Sequence, residues 1–234
     1  MKLPLSPRLK ACYSFVRAGD RVADIGCDHG YLGISLLLSG TASFVIASDI
    51  NCQPLQSAVA NANKYGVADR MSFHLSDGAR NIPREFDTLV CAGMGADTMI
   101  SILENAAWLR SDSYRLILQC QSKVHMLRKY LSQNGFSIRQ EKVLRDGRFL
   151  YTVMEVLFQP AQLLSPGQCY FSPALLKNGD KETAQYYHRV VAKLHRAING
   201  RGESADPFMV AALRELEATE KPQWLMEEND DNGT

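Results

Sequence analysis

The feature that most constrains this chain is an acidic, glycine-containing turn that follows an apolar run. The run Val22–Ile25 leads into the pattern D-x-G-x-D-x-G, which is formed by Asp24, Gly26, Asp28 and Gly30. Glycine adopts backbone conformations that are barred to residues with a Cβ, and it lets a ligand lie against bare main chain. The pattern therefore predicts a buried strand followed by a ligand-binding turn.

The charge of this turn indicates which nucleoside cofactor it binds. A turn that binds a nicotinamide dinucleotide reads G-x-G-x-x-G, and its second glycine admits the pyrophosphate. Asp28 occupies that position here. A carboxylate repels a pyrophosphate but suits the sulfonium and amino groups of S-adenosylmethionine. The turn therefore favours S-adenosylmethionine over a dinucleotide, with Asp24, Gly26, Asp28 and Gly30 as cofactor-binding candidates.

Length and composition predict one α/β domain with a small appendage. The chain has 234 residues, of which 46% are hydrophobic and 22% are charged. Residues 1–8 lack the apolar core of a signal peptide, and no apolar run approaches the roughly 20 residues that span a bilayer. The six cysteines form no C-x-x-C pair and no zinc-like cluster. We expect a cytoplasmic protein with free buried thiols, no metal and no membrane partner; the oligomeric state is left open, with a monomer as the default.

The first two thirds of the chain alternate between short β-branched runs and helical stretches. This alternation is typical of a parallel sheet whose faces are covered by helices. After residue 135 the alternation ends, and two further runs predict a hairpin that turns at Asp146-Gly147. Such a pattern favours a seven-stranded methyltransferase sheet over a six-stranded dehydrogenase sheet. The predicted strands are 21–24, 44–49, 71–75, 88–91, 115–119, 137–144 and 149–158. The predicted helices are 31–39, 54–65, 98–107 and 123–134.

Polar and small residues follow several of these strands, where ligands bind in an open parallel sheet. Asp49 is placed to accept hydrogen bonds from both ribose hydroxyls, although it also suits a helix cap. Asp77 is placed to receive an adenine amino group beside Gly78, although Asp-Gly is also an ordinary turn. The loop of Ala92, Gly93, Met94 and Gly95 follows the fourth strand, where a methyl acceptor meets the sulfonium; a plain tight turn also explains its glycines.

The segment after residue 160 has helical periodicity of its own. Apolar residues recur on one side of a helix predicted from Gly179 to Asn199, and a second helix is predicted to begin at Pro207. Off the apolar stripe lie four basic residues that are candidates for phosphate contact: Lys181, Arg189, Lys193 and Arg196. An ordinary solvated surface helix explains the same charges. We expect a catalytic domain at 1–160, a helical domain at 161–226 and an acidic, disordered tail at 227–234.

The motifs together resemble those of the bacterial tRNA adenine-22 N1-methyltransferases. In that family D-I-G-S/C-D-H-x-Y-L follows the first strand and A-G-M-G follows the fourth, as Asp24–Leu32 and Ala92–Gly95 do here. The fifth-strand sequence L-I-L-Q of Leu116–Gln119 and the turn Arg145–Arg148 are also similar. One departure is that Gln119 is followed by Cys120-Gln121 instead of Pro-Asn.

The resemblance implies a Rossmann-like Class I methyltransferase fold with a small, coiled-coil-like helical C-terminal domain. It also implies methyl transfer from S-adenosylmethionine to N1 of adenine 22 in tRNA. On this interpretation Asp28 is the catalytic candidate that stabilises the cationic adenine or the cofactor amino group. His29, Tyr31 and Met94 are expected around the pocket mouth, although a turn histidine that bonds to backbone explains His29 equally well.

Two other functions remain open from the sequence. One is a methyltransferase that acts on a small molecule or a protein. The other is a nucleotide-binding regulatory protein without turnover, which is suggested because the chain has no N-P-P-Y-type catalytic loop.

Overall fold

A seven-stranded mixed sheet forms the centre of the protein. The computed structural model describes residue 3 and residues 5–160, 162–177, 179–220 and 222–226. The strands run in the order β3-β2-β1-β4-β5-β7-β6 across the sheet. The first five are parallel, and the last two form an antiparallel hairpin against β5. Their bounds are β1 Asp20–Ile25, β2 Ala42–Asp49, β3 Met71–Leu75, β4 Thr88–Met94, β5 Arg115–Cys120, β6 Phe136–Asp146 and β7 Phe149–Phe158.

Ten α-helices accompany the sheet within the described residues. They are α1 Pro7–Phe15, α2 Tyr31–Leu38, α3 Cys52–Lys64, α4 Ala96–Asn105, α5 Val124–Gln133, α6 Pro166–Tyr170, α7 Pro173–Leu176, α8 Lys181–Asn199, α9 Pro207–Ala218 and α10 Gln223–Met226. The predicted Rossmann-like sheet with helical connections is confirmed. Its strand order reverses between β1 and β4, and the carboxyl ends of the strands on either side of such a point are where ligands bind.

Both faces of the sheet are buried, which explains why its central strands read as apolar runs. Successive side chains of a strand point to opposite faces. Ala23 and Ile25 of β1 therefore join one buried cluster, while Val22 joins the other. Helices α4 and α5 contribute to the first cluster, and α1, α2 and α3 contribute to the second. Apolar strands flanked by helices on both sides stabilise the parallel arrangement.

A third apolar cluster joins the C-terminal helices to the outer hairpin. Val143 of β6 is buried among Tyr187 and Leu194 of α8 and Leu213 of α9. The Tyr187 hydroxyl donates to the carbonyl oxygen of Leu216 at 2.7 Å, so α8 is also bonded to α9. The apolar stripe predicted for α8 is the side that enters this cluster.

A buried ion pair ties the C-terminal segment to the sheet. The Arg128 guanidinium of α5 and the Glu141 carboxylate of β6 are fully buried, and the closest N···O distance between them is 2.7 Å. Arg128 also donates to the carbonyl oxygens of Cys169 and Tyr170, at 2.9 and 2.8 Å. The Ser172 hydroxyl donates to Glu141. The ion pair of α5 and β6 therefore hydrogen-bonds to residues 169, 170 and 172 of the C-terminal segment.

Several local predictions differ from the structure. Helix α1 was not predicted, although Ser6 caps it and Pro7 occupies its first turn. The hairpin turn lies at Gly147-Arg148 instead of Asp146-Gly147, because Asp146 pairs with Phe149 at the end of the ladder. Helix α8 begins at Lys181, two residues after the predicted start, where the side chain of Asp180 caps it.

Other predictions concern features that the described residues test only in part. All six cysteines are free, but Cys52 is exposed and only the other five are buried. No helix in the described part of the chain is long and apolar enough to cross a membrane. The domain boundary at residue 160 stays a prediction, and the tail at 227–234 lies outside the described residues.

Replacing Arg128 tests whether the buried pair holds the C-terminal helices on the sheet. Arg128→Met removes the guanidinium that the Glu141 carboxylate and two carbonyl oxygens bind, so we expect a loss of about 3–5 kcal/mol of unfolding free energy. Arg139→Met, at an exposed position on β6, is the matched control and should change it by less than about 0.5 kcal/mol. Urea titration measures both. Equal stability of the two variants would contradict the role given to Arg128.

Candidate functional site

A large cavity opens at the carboxyl ends of the parallel strands. Its volume is about 860 Å³, and it is bounded by residues that follow β1, β2, β3 and β4. Five aspartates line it, whereas Arg8 is the one Lys or Arg side chain among its described lining residues. The predicted site residues that line it are Asp24, Gly26, Asp28, His29, Tyr31, Asp49, Asp77, Gly78, Ala92, Gly93 and Met94. The sheet therefore brings together side chains that are far apart in sequence.

Asp49 fixes the turn that follows β1. Its carboxylate accepts a hydrogen bond from the Asp28 amide at 3.2 Å and another from the Asn51 amide at 2.9 Å. The amides of Gly26 and Cys27 donate to the Ser48 carbonyl oxygen, at 2.8 and 2.9 Å. The end of β2 thus holds the turn after β1 through three hydrogen bonds, and the bond from Asn51 is local to β2. Asp49 itself is 8% exposed, and Asn51 rather than Asp49 is the N-cap residue of α3.

Asp24 is a deeply buried carboxyl at the inner end of the cavity. It is 4% exposed, and burial is the main cause that raises its pKa, to about 7. The Gly33 amide hydrogen-bonds to it and opposes this shift, whereas the nearby Asp49 charge adds to it. A carboxyl with a pKa near neutrality favours a cationic partner, because a positive charge stabilises its ionised form.

Asp28 lies at the mouth of the same cavity and not in its interior. Its side chain is 71% exposed, and one carboxylate oxygen is 3.7 Å from the His29 Nε2. Its φ of 49° lies in the left-handed region, which Asp and Asn tolerate better than most residues. The His29 ring lies 5.7 Å from the Tyr31 ring, centroid to centroid. This part of the turn is therefore open to a second, larger ligand.

Asp77 and Gly78 form the wall that follows β3. Asp77 is exposed and forms an ion pair with Arg80 at 3.4 Å. Gly78 has a φ of 61°, and a Cβ at this position would lie 2.7 Å from Cγ1 of Ile102 on α4. Only a residue without a side chain fits between the loop and α4. This packing explains the glycine without a ligand, so the adenine contact of Asp77 stays a prediction.

The end of β4 is held by residues at the end of β5. Ala92, Gly93 and Met94 were predicted to lie in a loop after the strand, but pairing with β5 extends β4 to Met94, with a bulge between Ala92 and Met94. The fully buried Gln119 accepts a hydrogen bond from the Gly93 amide at 3.1 Å. The backbone amide of Gln121 donates to the Met94 carbonyl oxygen at 2.8 Å. A Cβ on Gly93 would lie 3.4 Å from the Gln121 Nε2, so the side-chain amide of Gln121 lies over the glycine. Gln121 therefore presents an amide at the place where the related sequences carry Asn.

Gly30 contributes to the shape of the turn and does not line the cavity. It is the N-cap of α2, with a φ of 71°, and it packs against Ala58 of α3. A Cβ there would lie 3.0 Å from the Ala58 Cβ and 3.3 Å from its Cα. Its predicted role in cofactor binding is therefore indirect, through the path of the turn.

Two charged side chains at the cavity were missed from the sequence. Arg8 of α1 lines the cavity and forms an ion pair with Asp146 at 2.8 Å. Asp97 at the start of α4 also lines it and pairs with Lys123 at 2.8 Å. The Ser6-Pro7 pair is a helix-start signal that was available for α1. No local signal showed that these side chains reach the cavity.

The basic residues predicted for RNA contact lie on the solvent side of α8. Lys181, Arg189, Lys193 and Arg196 are exposed, in contrast to the buried Tyr187 of the same helix. The Arg189 guanidinium donates to the Arg148 carbonyl oxygen at 2.9 Å, so it lies beside the hairpin turn. These charges therefore lie on a different part of the surface from the acidic cavity.

Known proteins are similar to this chain in both fold and sequence. Residues 5–154 match the family model described as methyltransferase domain, so the chain belongs to that family. The tRNA (adenine(22)-N(1))-methyltransferase of Bacillus subtilis is 32% identical over 154 residues, which cover 65% of each chain. The chain thus spans slightly less than two thirds of this relative by sequence.

Two solved structures cover more of the chain. The Bacillus subtilis m1A22 tRNA methyltransferase is 27% identical with a TM-score of 0.78, covering 92% of this chain and 95% of the other. A Streptococcus pneumoniae protein, solved in complex with S-adenosyl-L-methionine, is 28% identical with a TM-score of 0.80, covering 91% and 98%. The resemblance to the bacterial tRNA adenine-22 N1-methyltransferases is confirmed.

Substituting Gly30 tests how the turn is supported. Gly30→Ala forces a Cβ against Ala58 and imposes a positive φ, so we expect a loss of about 2–5 kcal/mol of unfolding free energy. Gly40→Ala is the matched control, because Gly40 has a φ of 74° and nothing lies within 4 Å of the place that its Cβ would take. It should lose only about 1–2 kcal/mol. Equal losses in urea titrations would show that the contact with α3 does not restrict this residue.

Proposed function

We propose that this chain transfers the methyl group of S-adenosylmethionine to N1 of adenine 22 in tRNA, in the cytoplasm. The observation that carries the proposal is the acidic cavity at the strand-order reversal, with the buried Asp24 and Asp49 at its centre. Support also comes from the Bacillus subtilis relatives, whose names specify this reaction. Three ribosomal protein L11 methyltransferases are 29–30% identical to the chain but cover only 56–59% of it, so a protein acceptor has weaker support.

The residues of the cavity fit S-adenosylmethionine. Asp49, at the end of β2, keeps lone pairs for the two ribose hydroxyls in addition to the amides it already binds. Asp77 suits the adenine amino group, and Gly78 lines the cavity beside it. Asp24 and the turn through Gly26 suit the cationic methionine end. A pyrophosphate fits poorly, because five carboxylates face the same space.

When it is bound, the cofactor supplies a methyl group on a positively charged sulfur, and the lone pair of adenine N1 forms the new C–N bond as the C–S bond breaks. Neutral adenine N1 carries no proton, so the chain needs no general base. Its task is to align the two reactants and to stabilise positive charge that moves to the adenine ring. The exposed Asp28 carboxylate at the mouth is suited to that charge.

The acceptor base is held by the residues around the mouth. Tyr31 and Met94 provide surfaces against which the base packs, and His29 lies beside Tyr31. The Gln121 amide over Gly93 is positioned to hydrogen-bond to the base. Because N1 lies on the pairing edge, the adenine must be unpaired or extruded before it reacts. The basic residues of α8 add salt-dependent affinity for phosphates and no base specificity.

Transfer of tritium from labelled S-adenosylmethionine tests the function directly. We expect label in a tRNA transcript with adenine at position 22 and no label in the same transcript with guanine there, because guanine N1 carries a proton and offers no free lone pair. Nucleoside mapping should locate N1-methyladenosine at position 22. Equal labelling of both transcripts, or labelling of a protein extract or of metabolites alone, would contradict the proposal.

Asp49→Asn tests the ribose contact. Because this change removes a charged hydrogen-bond acceptor, we expect S-adenosylmethionine affinity to fall by a factor of roughly 10 to 100 in calorimetry. The exposed Asp69, outside the cavity, provides the control Asp69→Asn, which should bind like the wild type. Unchanged affinity of a folded Asp49→Asn variant would remove Asp49 from the site.

The raised pKa of Asp24 predicts a pH dependence of cofactor binding. Below pH 7 the carboxyl is largely protonated, and binding of a cation must release that proton. The affinity for S-adenosylmethionine should therefore rise by a factor of about 3 to 10 between about pH 6 and pH 8. In Asp24→Asn this rise should disappear. Equal pH dependence of the affinity in wild type and variant would contradict the assignment.

A further inference from the structure

A second cavity lies between the β5–α5 loop, β7 and α8. We call it the α8 cleft; its volume is about 310 Å³, which is within the usual range of small-ligand pockets. It is bounded by Gln121 and His125 on one side, Thr152 on β7, and Lys193 and Ala197 on α8. Neither Asp24–Leu32 nor Ala92–Gly95 contributes a residue to its lining. Its position and lining are therefore independent of the cofactor site.

The charge of the α8 cleft is opposite to that of the acidic cavity. No Asp or Glu is among its described lining residues, whereas Lys123, Arg189 and Lys193 are. Lys123 is paired with Asp97, but the structure gives Lys193 no ion pair with any described residue. A cleft with exposed cations and an apolar interior suits a ligand that has a flat, weakly polar part and an anionic part. A nucleotide of a nucleic acid has both.

One wall of the cleft consists of two stacked rings. The His125 and Tyr170 rings are nearly parallel, at 7°, with 4.4 Å between their centroids. Burial, with the Lys193 and Arg128 charges, lowers the pKa of His125 to about 4, so the imidazole is neutral at pH 7. Neutral aromatic rings in single-strand binding sites stack on bases of any sequence.

A buried hydroxyl in the cleft has no partner. Thr152 is 2% exposed and lines the cleft, and its Oγ1 forms no hydrogen bond with any described residue. Burying a hydroxyl without a partner is unfavourable, so this hydroxyl has unused hydrogen-bonding capacity. This atom is therefore an unused hydrogen-bonding group for the polar edge of a bound base.

The α8 cleft and the acidic cavity lie on either side of the end of β5. Cys120 and Gln121 line the cleft, while Gln119, one residue earlier, lines the acidic cavity and binds the Gly93 amide. The backbone amide of Gln121 donates to the carbonyl oxygen of Met94, the last residue of β4. A strand of RNA whose adenine enters the acidic cavity therefore passes the cleft with an adjoining nucleotide.

We propose that the α8 cleft binds the base of the unpaired nucleotide next to the target adenine, with Lys193 and Arg189 facing its phosphate. This inference rests on the proposed function, and it adds a second RNA-reading position to it. The base stacks against the ring wall and accepts or donates a hydrogen bond at the Thr152 hydroxyl. The cleft thus aligns the strand so that only one adenine reaches the methyl donor.

Filling the cleft tests this inference. Ala197→Phe places a ring in the cleft, whereas Ala192→Phe places the same ring on the exposed side of α8. Binding is measured by fluorescence anisotropy of labelled tRNA in the presence of S-adenosylhomocysteine. We expect Ala197→Phe to weaken tRNA binding about tenfold and Ala192→Phe to change it less than twofold, with cofactor affinity unchanged in both. Wild-type tRNA affinity in a folded Ala197→Phe protein would overturn the inference.

The occupant is identified with tRNA that lacks the base at position 21 or at position 23. One of these abasic substrates should bind the wild type about tenfold more weakly than intact tRNA, since stacking and hydrogen bonding of that base are lost. For Ala197→Phe the same deletion should have no effect, because the cleft is already filled. Equal penalties in wild type and variant would show that neither base enters the cleft, and would overturn the inference.

A pair of threonine variants keeps the test valid if the larger side chain unfolds the protein. Thr152→Val and Thr183→Val each remove a buried, unpartnered hydroxyl, but Thr183 lies outside the cleft. Both should retain or exceed the wild-type Tm. Thr152→Val alone should weaken tRNA binding, by a factor of about 3 to 10. Equal tRNA affinity of the two variants would contradict the role of Thr152 in the cleft.

Failure of the proposed function gives a different result. A wild-type protein that leaves adenine 22 unmodified refutes the function, and with it a tRNA nucleotide as the occupant, before any variant is compared. A wild type that methylates adenine 22 while the cleft variants bind tRNA normally refutes only the inference about the cleft.

Discussion

Three hydrogen bonds from the turn after β1 to the carboxyl end of β2 are the interaction on which the site depends. They join the backbone amides of Gly26, Cys27 and Asp28 to Ser48 and Asp49. Without them the turn after β1 has no fixed path, because its glycines allow many conformations in the unfolded chain. The same carboxylate that fixes the turn faces the cavity. A change at Asp49 therefore alters the protein scaffold and the ligand contact together.

The sheet and the polar residues after its strands were predictable, because both depend on local patterns. Buried parallel strands read as apolar runs; Asp49 is the last residue of β2, and Asp77 lies two residues beyond β3. The structure places both in one cavity, as the strand order requires. The exposed position of Asp28 and the indirect role of Gly30 were not predictable, since both follow from the packing of α2 and α3 against the turn.

The remaining features arise from contacts between distant parts of the chain. Arg8 is brought to the cavity by its ion pair with Asp146, 138 residues later. Arg128 and Glu141 read as ordinary surface charges in the sequence, yet both are fully buried. The α8 cleft exists only because this pair and the apolar cluster around Val143 hold the C-terminal helices against the hairpin. Periodicity predicts each helix but not the surface it covers.

The two cavities differ in charge, and the proposed function assigns each of them to one reactant. The acidic cavity suits the cationic cofactor, and the α8 cleft suits an anionic strand. A crystal structure with S-adenosylhomocysteine tests the central claim most directly. We expect both ribose hydroxyls to lie within hydrogen-bond distance of the Asp49 carboxylate, with the amino acid end of the ligand beside Gly26. A ligand bound elsewhere, or in this cavity without contact to Asp49, would contradict the proposed site.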